Sequence, residues 1–128
     1  MGFFKRKKKE DTRKLEAQQT VKKEHLLEQI DEYLAKLENA ESDDSIPIFN
    51  MLGSLYFEME DYDNAIRYYE KSIEQNKALG KAFTDLVKLY NIKRKEASKT
   101  GDNESVQFYL NKSDELMKLT KDTIRGNM

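Results

Sequence analysis

The chain has 128 residues, of which 37% are charged and 38% apolar, with one Pro, five Gly and no Cys. The lack of Cys excludes a disulfide framework, a thiol nucleophile and a thiolate metal site. No apolar run reaches the roughly 18 residues that a membrane-spanning helix needs. Few helix breakers and abundant Glu, Lys and Leu predict one all-α domain. Because Phe4 is followed by a charge run instead of a signal-peptide core, we expect a cytoplasmic protein.

Charge is distributed unevenly, although the formal net charge is only −1. Residues 1–25 carry nine basic and four acidic side chains, a net +5, whereas residues 26–61 carry one basic and ten acidic side chains, a net −9. Residues 81–128 are again basic, with ten Lys or Arg against seven Asp or Glu. Such asymmetry lets a basic tail and an acidic body attract different partners.

Residues 1–10 form a basic tail, which we predict to be disordered because five consecutive cations repel one another. Two aromatic residues precede the cations. This composition suits an anionic lipid surface, where each cation contributes about 1 kcal/mol. A solvated end without a partner is the simplest alternative, and nonspecific nucleic-acid binding is the least favoured. The candidate surface-binding residues are Phe3, Phe4, Lys5, Arg6, Lys7, Lys8 and Lys9.

Residues 11–40 predict a long helix, because they contain neither Gly nor Pro. The second half carries a dense apolar stripe with helical spacing, which we expect to cover the next hairpin as a cap. The first half is poor in apolar residues and either projects into solvent or contacts a partner helix. Residues 40–45 predict a loop that ends in the N-cap Ser45. The stripe consists of Leu27, Ile30, Leu34 and Leu37.

Residues 46–76 predict a helical hairpin whose two helices approach closely. Gly53 lies on the apolar face of the first helix, and Ala65 is the small residue on the second, so we expect these two residues to meet. Between the helices, Asp61 or Asp63 can accept hydrogen bonds from the free N–H groups of the second helix. The apolar positions of the two helices are Phe49, Leu52, Tyr56 and Met59, then Ile66, Tyr69 and Ile73.

This hairpin resembles a tetratricopeptide repeat (TPR). The family pattern requires an aromatic residue, Leu-Gly and Tyr along the first helix, then a small, an aromatic and a second small residue along the next. The Pro that ends the pattern is absent, and Lys77 lies near its position. The resemblance implies a protein that holds other proteins. The matching residues are Phe49, Leu52, Gly53, Tyr56, Ala65, Tyr69 and Ser72.

Residues 78–125 predict a second, degenerate hairpin. Phe83, Leu86 and Tyr90 match the first helix of the pattern, but Val87 replaces its Gly. In this hairpin the positions of the family's Gly and first small residue, Val87 and Val106, are 19 residues apart, against 12 in the first hairpin. The two helices are therefore longer by about two turns in all. The predicted buried face of the last helix is Val106, Leu110, Ser113, Met117 and Ile124.

The predicted fold is therefore all-α with about five helices: a long N-terminal capping helix and two TPR-like hairpins, as in a fragment of an α-solenoid. Two repeats are fewer than the three or so that a solenoid needs. We expect the capping helix to supply the missing neighbour, or the array to complete itself by forming a dimer.

In the family, the first helix of each repeat lines a concave groove, and the resemblance implies binding there. The corresponding side chains are mostly polar and uncharged, with one exposed aromatic ring, and they suit a peptide or helix bearing acidic groups. No catalytic, cofactor or metal site is expected: His25 has no partner in sequence, and Gly-rich phosphate loops are absent. The groove residues are Asn50, Ser54, Phe57, Lys81, Thr84, Lys88 and Asn91.

The sequence thus favours a non-catalytic adaptor that binds a peptide or helix of another protein. One alternative is a structural subunit that self-associates through its repeat edges, for example as a homodimer. Another is a membrane tether, peripheral at the inner face of the membrane, that uses residues 2–9.

Overall fold

Five α-helices account for nearly all of the chain that the structure describes. The computed structural model describes the backbone of residues 2–75 and 80–126 and the side chains of residues 12–75 and 80–121. This confirms the all-α class and the number of helices predicted from the sequence. The helices are α1 (Gly2–Asn39), α2 (Ser42–Glu58), α3 (Tyr62–Gln75), α4 (Lys81–Lys99) and α5 (Asn103–Gly126).

The helices form a stack of two hairpins, α2–α3 and α4–α5, with α1 on the side of the first. Each helix packs against the next one in the chain, and α2 also contacts α4. The second hairpin is longer than the first, as the sequence predicted: α4 and α5 have 19 and 24 residues, against 17 and 14 in α2 and α3.

Two hydrophobic clusters hold this stack together, and α3 contributes to both. The first joins α1, α2 and α3 around Leu26, Ile30 and Leu52. The second joins α3, α4 and α5 around Tyr69, Leu86 and Leu89, and it includes Ala65. Burial of this apolar surface supplies most of the driving force for folding. The side chains below 2% exposure are Tyr69, Leu52, Leu86 and Leu89.

Two polar turns separate the paired helices. At the first, Glu60 takes the left-handed conformation with φ 62°, and the Asp61 amide donates to the Tyr56 carbonyl at 3.0 Å, which ends α2. Asp61 then accepts from the Asn64 amide at 3.4 Å, the N-terminal role predicted for it. At the second, Gly101 has φ 73°, and Asp102 accepts from the Ser105 hydroxyl at 2.6 Å and from the Ser105 backbone amide at 3.1 Å. These hydrogen bonds, the one from the hydroxyl first, lower the pKa of Asp102.

Two helices begin earlier than the sequence predicted. Helix α1 starts at Gly2, so residues predicted to be a disordered tail continue the helix; Lys and Arg are good helix formers, and nothing interrupts the run. Helix α2 starts at Ser42 with Glu41 as N-cap, so the expected loop is shorter. Ser45 is not the N-cap: its hydroxyl donates to the Glu41 carbonyl at 3.1 Å, within the first turns of the helix. Pro47 therefore lies inside the helix.

The apolar stripe of α1 packs into the first hydrophobic cluster as expected at Ile30, Leu34 and Leu37, but Leu26 takes the place predicted for Leu27. Leu26 is 5% exposed and Ile30 2%, and Leu34 and Leu37 are half-buried against the same cluster. Leu27 is 48% exposed, so its predicted place in the core was wrong. Both spacings, three and four, are compatible with one helix face, and the pattern alone does not choose between two adjacent leucines.

The buried face of α5 also differs from the predicted one at two positions. Tyr109 packs against the second cluster and Leu116 is 7% exposed, whereas Leu110 and Met117 are 40% and 42% exposed. The prediction that Leu110 and Met117 face the core was wrong, because apolar residues occur at both spacings and packing on α4 selects one. The side chain of Ile124 lies outside the described residues.

The close approach of α2 and α3 occurs at Gly53, but the residue it meets is Tyr69. A Cβ on Gly53 would lie 2.8 Å from three atoms of the Tyr69 ring, closer than van der Waals contact allows. The ring is fully buried, and its hydroxyl donates to Asp85 of α4 at 2.6 Å, so it is held from both ends. The sequence predicted Ala65 at this contact but not the Tyr69 ring, whose atoms are the nearest to Gly53.

Gly53→Ala tests this contact, because the sign of its effect is diagnostic. In an unobstructed helix interior this change stabilises by about 1 kcal/mol. Here we expect it to destabilise the protein by about 1–3 kcal/mol, since the new methyl group displaces a fixed ring. Urea unfolding followed by circular dichroism measures the difference. Gly80→Ala is the control, because a methyl group on Gly80 would have no neighbouring atom within 4 Å. A stabilised Gly53→Ala protein would contradict the close approach.

Leu26→Ala and Leu27→Ala form a matched pair that tests the packing of α1. Leu26 is 5% exposed and Leu27 48%. We expect Leu26→Ala to lower the free energy of unfolding by about 2–5 kcal/mol, the range for a buried leucine, and Leu27→Ala to cost well under half of that. The midpoints of urea unfolding give both values. If both substitutions lowered the free energy of unfolding equally little, α1 would be an arm that does not stabilise the hairpins.

Candidate functional site

The predicted groove residues of α2 and α4 lie on neighbouring helices that touch. Lys81 of α4 donates to the Ser54 hydroxyl of α2 at 3.0 Å, which joins a groove position of the first hairpin to one of the second. Helices α2 and α4, which are the first helices of the two hairpins, contact each other directly. These helices therefore present one surface, which we call the α2–α4 face and define by the seven predicted groove residues.

Asn50 and Phe57 are less available than the sequence suggested. Asn50 is half-buried, and its side-chain oxygen accepts from the Ser72 hydroxyl at 2.5 Å; Ser72 itself is 3% exposed. Phe57 is half-buried, not an exposed aromatic, and its ring meets Tyr62 edge-on at a centroid distance of 6.0 Å. Both side chains thus hold α2 to α3, which is a structural role, since an unpaired buried hydroxyl would be costly.

The exposed part of the α2–α4 face is a stripe on α4. Its four predicted residues are three, four and three positions apart, so they follow one side of the helix. Two of them are cationic and two carry short hydrogen-bonding groups. The side chains of this stripe are all exposed: Lys81, Thr84, Lys88 and Asn91.

Beneath this stripe is a polar pair that sequence reasoning missed. Asp85 is 8% exposed, yet it carries a carboxylate on the apolar side of α4. Its partner is the Tyr69 hydroxyl, which donates to it. The pKa of Tyr69 is raised mainly by burial and secondly by this hydrogen bond. The signal was available, because an acidic residue within an otherwise apolar stripe indicates a buried partner.

A second polar network joins α3, α4 and α5. The Tyr90 hydroxyl donates to Glu70 at 3.0 Å, and burial together with the Glu70 charge raises the pKa of Tyr90. Lys112 of α5 reaches the same carboxylate at 3.4 Å. Closer to the start of α3, Lys93 of α4 pairs with Asp63 at 3.1 Å. These contacts position helices, and none of them places a nucleophile beside a base.

The basic tail cannot be described at the level of side chains. Its predicted surface-binding residues, Phe3 to Lys9, lie outside the residues whose side chains the structure describes. Within the described residues, no group of three or more His, Cys, Asp or Glu side chains is arranged to hold a metal ion. Nor is any described helix both long enough and apolar enough to span a membrane.

Comparison with known proteins identifies one segment of the chain. The family model of the tetratricopeptide repeat matches residues 46–78, which include most of α2 and all of α3. No curated protein and no solved structure matches the chain. Repeats of this family generally mediate protein–protein interactions, and the proteins that contain them are typically scaffolds or adaptors. The predicted second repeat lies beyond the matched residues. Residues 46–78 of this chain are therefore a tetratricopeptide repeat.

Proposed function

We propose that this protein is a non-catalytic adaptor whose α2–α4 face binds an acidic segment of another protein. The observation that supports this most directly is the exposed stripe of α4, in which two lysines alternate with Thr84 and Asn91. A protein-binding role is also what the tetratricopeptide repeat at residues 46–78 favours.

The spacing of the stripe suits a linear partner. Lys81 and Lys88 are seven residues apart, which places their Cα atoms about 10 Å from each other along the helix axis. Carboxylates two turns apart on a helix, or three residues apart on an extended polyproline II segment, span a similar distance and lie on one side of the partner. Asn91 adds donors and an acceptor that can pair with the backbone of an extended segment, and Thr84, whose hydroxyl donates to the Gly80 carbonyl at 3.3 Å, adds an acceptor.

Lys81 can bind a partner without leaving Ser54. An ammonium group has three N–H donors, and the hydrogen bond to Ser54 uses one of them. The side chain is therefore oriented by α2 while it remains exposed. Such pre-orientation lowers the entropy that binding would otherwise cost.

The structure also changes how the site should be tested. Because Asn50 satisfies the buried Ser72 hydroxyl, Asn50→Ala would reduce stability and confuse the result. A better variant combines Lys88→Glu with Asn91→Ala, since both side chains are exposed. Exposed polar substitutions seldom change stability by more than about 0.5 kcal/mol.

We expect the Lys88→Glu/Asn91→Ala variant to bind acidic peptides roughly tenfold more weakly, equivalent to about 1.4 kcal/mol. The probe is a fluorescent peptide of Glu and Leu residues, titrated by anisotropy, with a Lys and Leu peptide as its charge-reversed counterpart. Binding of the acidic peptide should also weaken as salt is raised, because the lysines are exposed.

Lys118→Glu is the matched control, since Lys118 is also exposed but lies on α5, outside the α2–α4 face. If Lys118→Glu weakened binding as much as the double variant, the attraction would be a general charge effect. Equal affinity for the acidic and the basic peptide would reject the proposed site.

The composition of the basic tail favours a second, separate activity, namely binding to an anionic lipid surface. Nucleic acid is the less favoured partner of the tail. Its cations continue α1 beyond the part that packs on α2. We expect removal of residues 2–9 to reduce flotation with phosphatidylserine vesicles, most clearly at low salt, and to leave acidic-peptide binding unchanged. Flotation that is unaffected by the deletion would assign no lipid role to the tail. The cytoplasmic location stays a prediction.

A further inference from the structure

A groove lies on the molecule between α3 and α5, distinct from the α2–α4 face. It has a volume of about 280 Å³ and reaches down to Leu86 and Tyr90 of α4. Within the described residues, α5 packs on α4 but not on α3, which leaves this space between them. Lys112 bridges its two sides through the ion pair with Glu70. We call this space the α3–α5 groove.

Apolar side chains form the floor of the α3–α5 groove and acidic ones its rim. Ile73 of α3 and Leu116 of α5 lie on the floor. The rim carries three carboxylates and one cation, and that cation, Lys112, already pairs with Glu70. Within the described residues this leaves two exposed carboxylates, Glu74 and Glu115, without a cation. An occupant that fits must combine an aliphatic side chain with basic neighbours.

Helix α1 carries a segment with that chemistry. All residues from 13 to 25 are exposed, and within the described residues α1 packs only against α2. Leu15 and Val21 are 58% and 65% exposed. The segment has four basic and two acidic side chains; Lys14, two turns before Val21, lies on the same helix face, and Lys22 is next to Val21. We call residues 13–25 the arm.

The arm cannot reach the α3–α5 groove of its own molecule. It is continuous with the part of α1 that packs in the first cluster through Leu26 and Ile30, and no Gly or Pro lies between them to allow a sharp bend. The groove belongs to the second cluster, on the far side of α3. The arm extends about 20 Å in the direction set by α1. Any arm that fills the groove therefore belongs to a second copy.

We propose that the arm of a second copy docks in the α3–α5 groove, with Val21 on the apolar floor and Lys14 and Lys22 beside Glu74 and Glu115. Two copies that exchange arms reciprocally form a closed, two-fold dimer. Each contact buries one exposed aliphatic side chain and pairs opposite charges at the rim. The dimer should be salt-sensitive, because the charges that specify it are exposed. This inference does not depend on binding at the α2–α4 face.

The absence of Cys makes a direct test possible. Gln18→Cys places a thiol on the arm and Gln75→Cys places one beside the α3–α5 groove, and both positions are exposed and uncharged. The two variants are mixed, one of them carrying a mass tag, and oxidised. We expect a disulfide-linked heterodimer at several times the yield of the control pair, Gln18→Cys with Asn91→Cys. Equal yields from the two pairs would overturn the proposal.

Charge exchange gives an independent test by sedimentation of the full chain. We expect Lys14→Glu/Lys22→Glu and, separately, Glu74→Lys/Glu115→Lys to weaken self-association about tenfold or more, and the combination of all four changes to restore most of it. Circular dichroism melts check that each variant is folded. A wild-type chain that stays monomeric at every concentration, or a fourfold variant that does not recover, would refute the arm–groove contact. Loss of the dimer on Lys88→Glu/Asn91→Ala would place the interface on the α2–α4 face instead.

Discussion

The stack depends on the place where the Tyr69 ring lies against Gly53. The missing Cβ lets a residue of α3 pack directly on the backbone of α2, and the hydroxyl at the other end of the ring reaches Asp85 of α4. One side chain thus fixes the relative positions of three helices. The contact between α2 and α4 follows from it, since both helices are held against the same buried residue. The exposed stripe of α4 owes its orientation to that arrangement.

Hydrogen bonds between helices supplement this packing in a consistent way. Ser72 pairs with Asn50, Tyr69 with Asp85 and Tyr90 with Glu70, and each pair joins two different helices. Burial raises the pKa of the two tyrosines, so their hydroxyls stay protonated and continue to donate. Among the described residues that are not exposed, no buried side-chain nitrogen or oxygen lacks a hydrogen-bond partner. Directional contacts of this kind favour one arrangement of helices over others with similar apolar burial.

The sequence predicted best what depends on local spacing. The hairpin at residues 46–78 was recognisable because Gly53, Ala65 and the aromatic positions recur at fixed distances in the family. The registers of α1 and α5 were harder, because Leu26 and Leu27, like Tyr109 and Leu110, are adjacent apolar residues that fit one face equally well. Only the neighbouring helix decides between them. The α3–α5 groove was beyond prediction, since it depends on the separation of two helices whose backbones are not in contact. For the groove positions, the pattern identified surface residues, but it did not predict that Asn50 accepts a hydrogen bond from Ser72.

Helix α3 has an effect on folding that its short length conceals. Tyr68 belongs to the first hydrophobic cluster and its neighbour Tyr69 to the second, so one helix forms a wall of both. Tyr56 packs against both clusters as well. In longer repeat arrays each unit is stabilised mainly by its neighbours and can open separately. Here the first hairpin cannot open at α3 without also exposing the cluster that α3 shares with α4 and α5. The two hairpins are therefore coupled into one cooperative unit. The two hairpins can therefore unfold together in a single step.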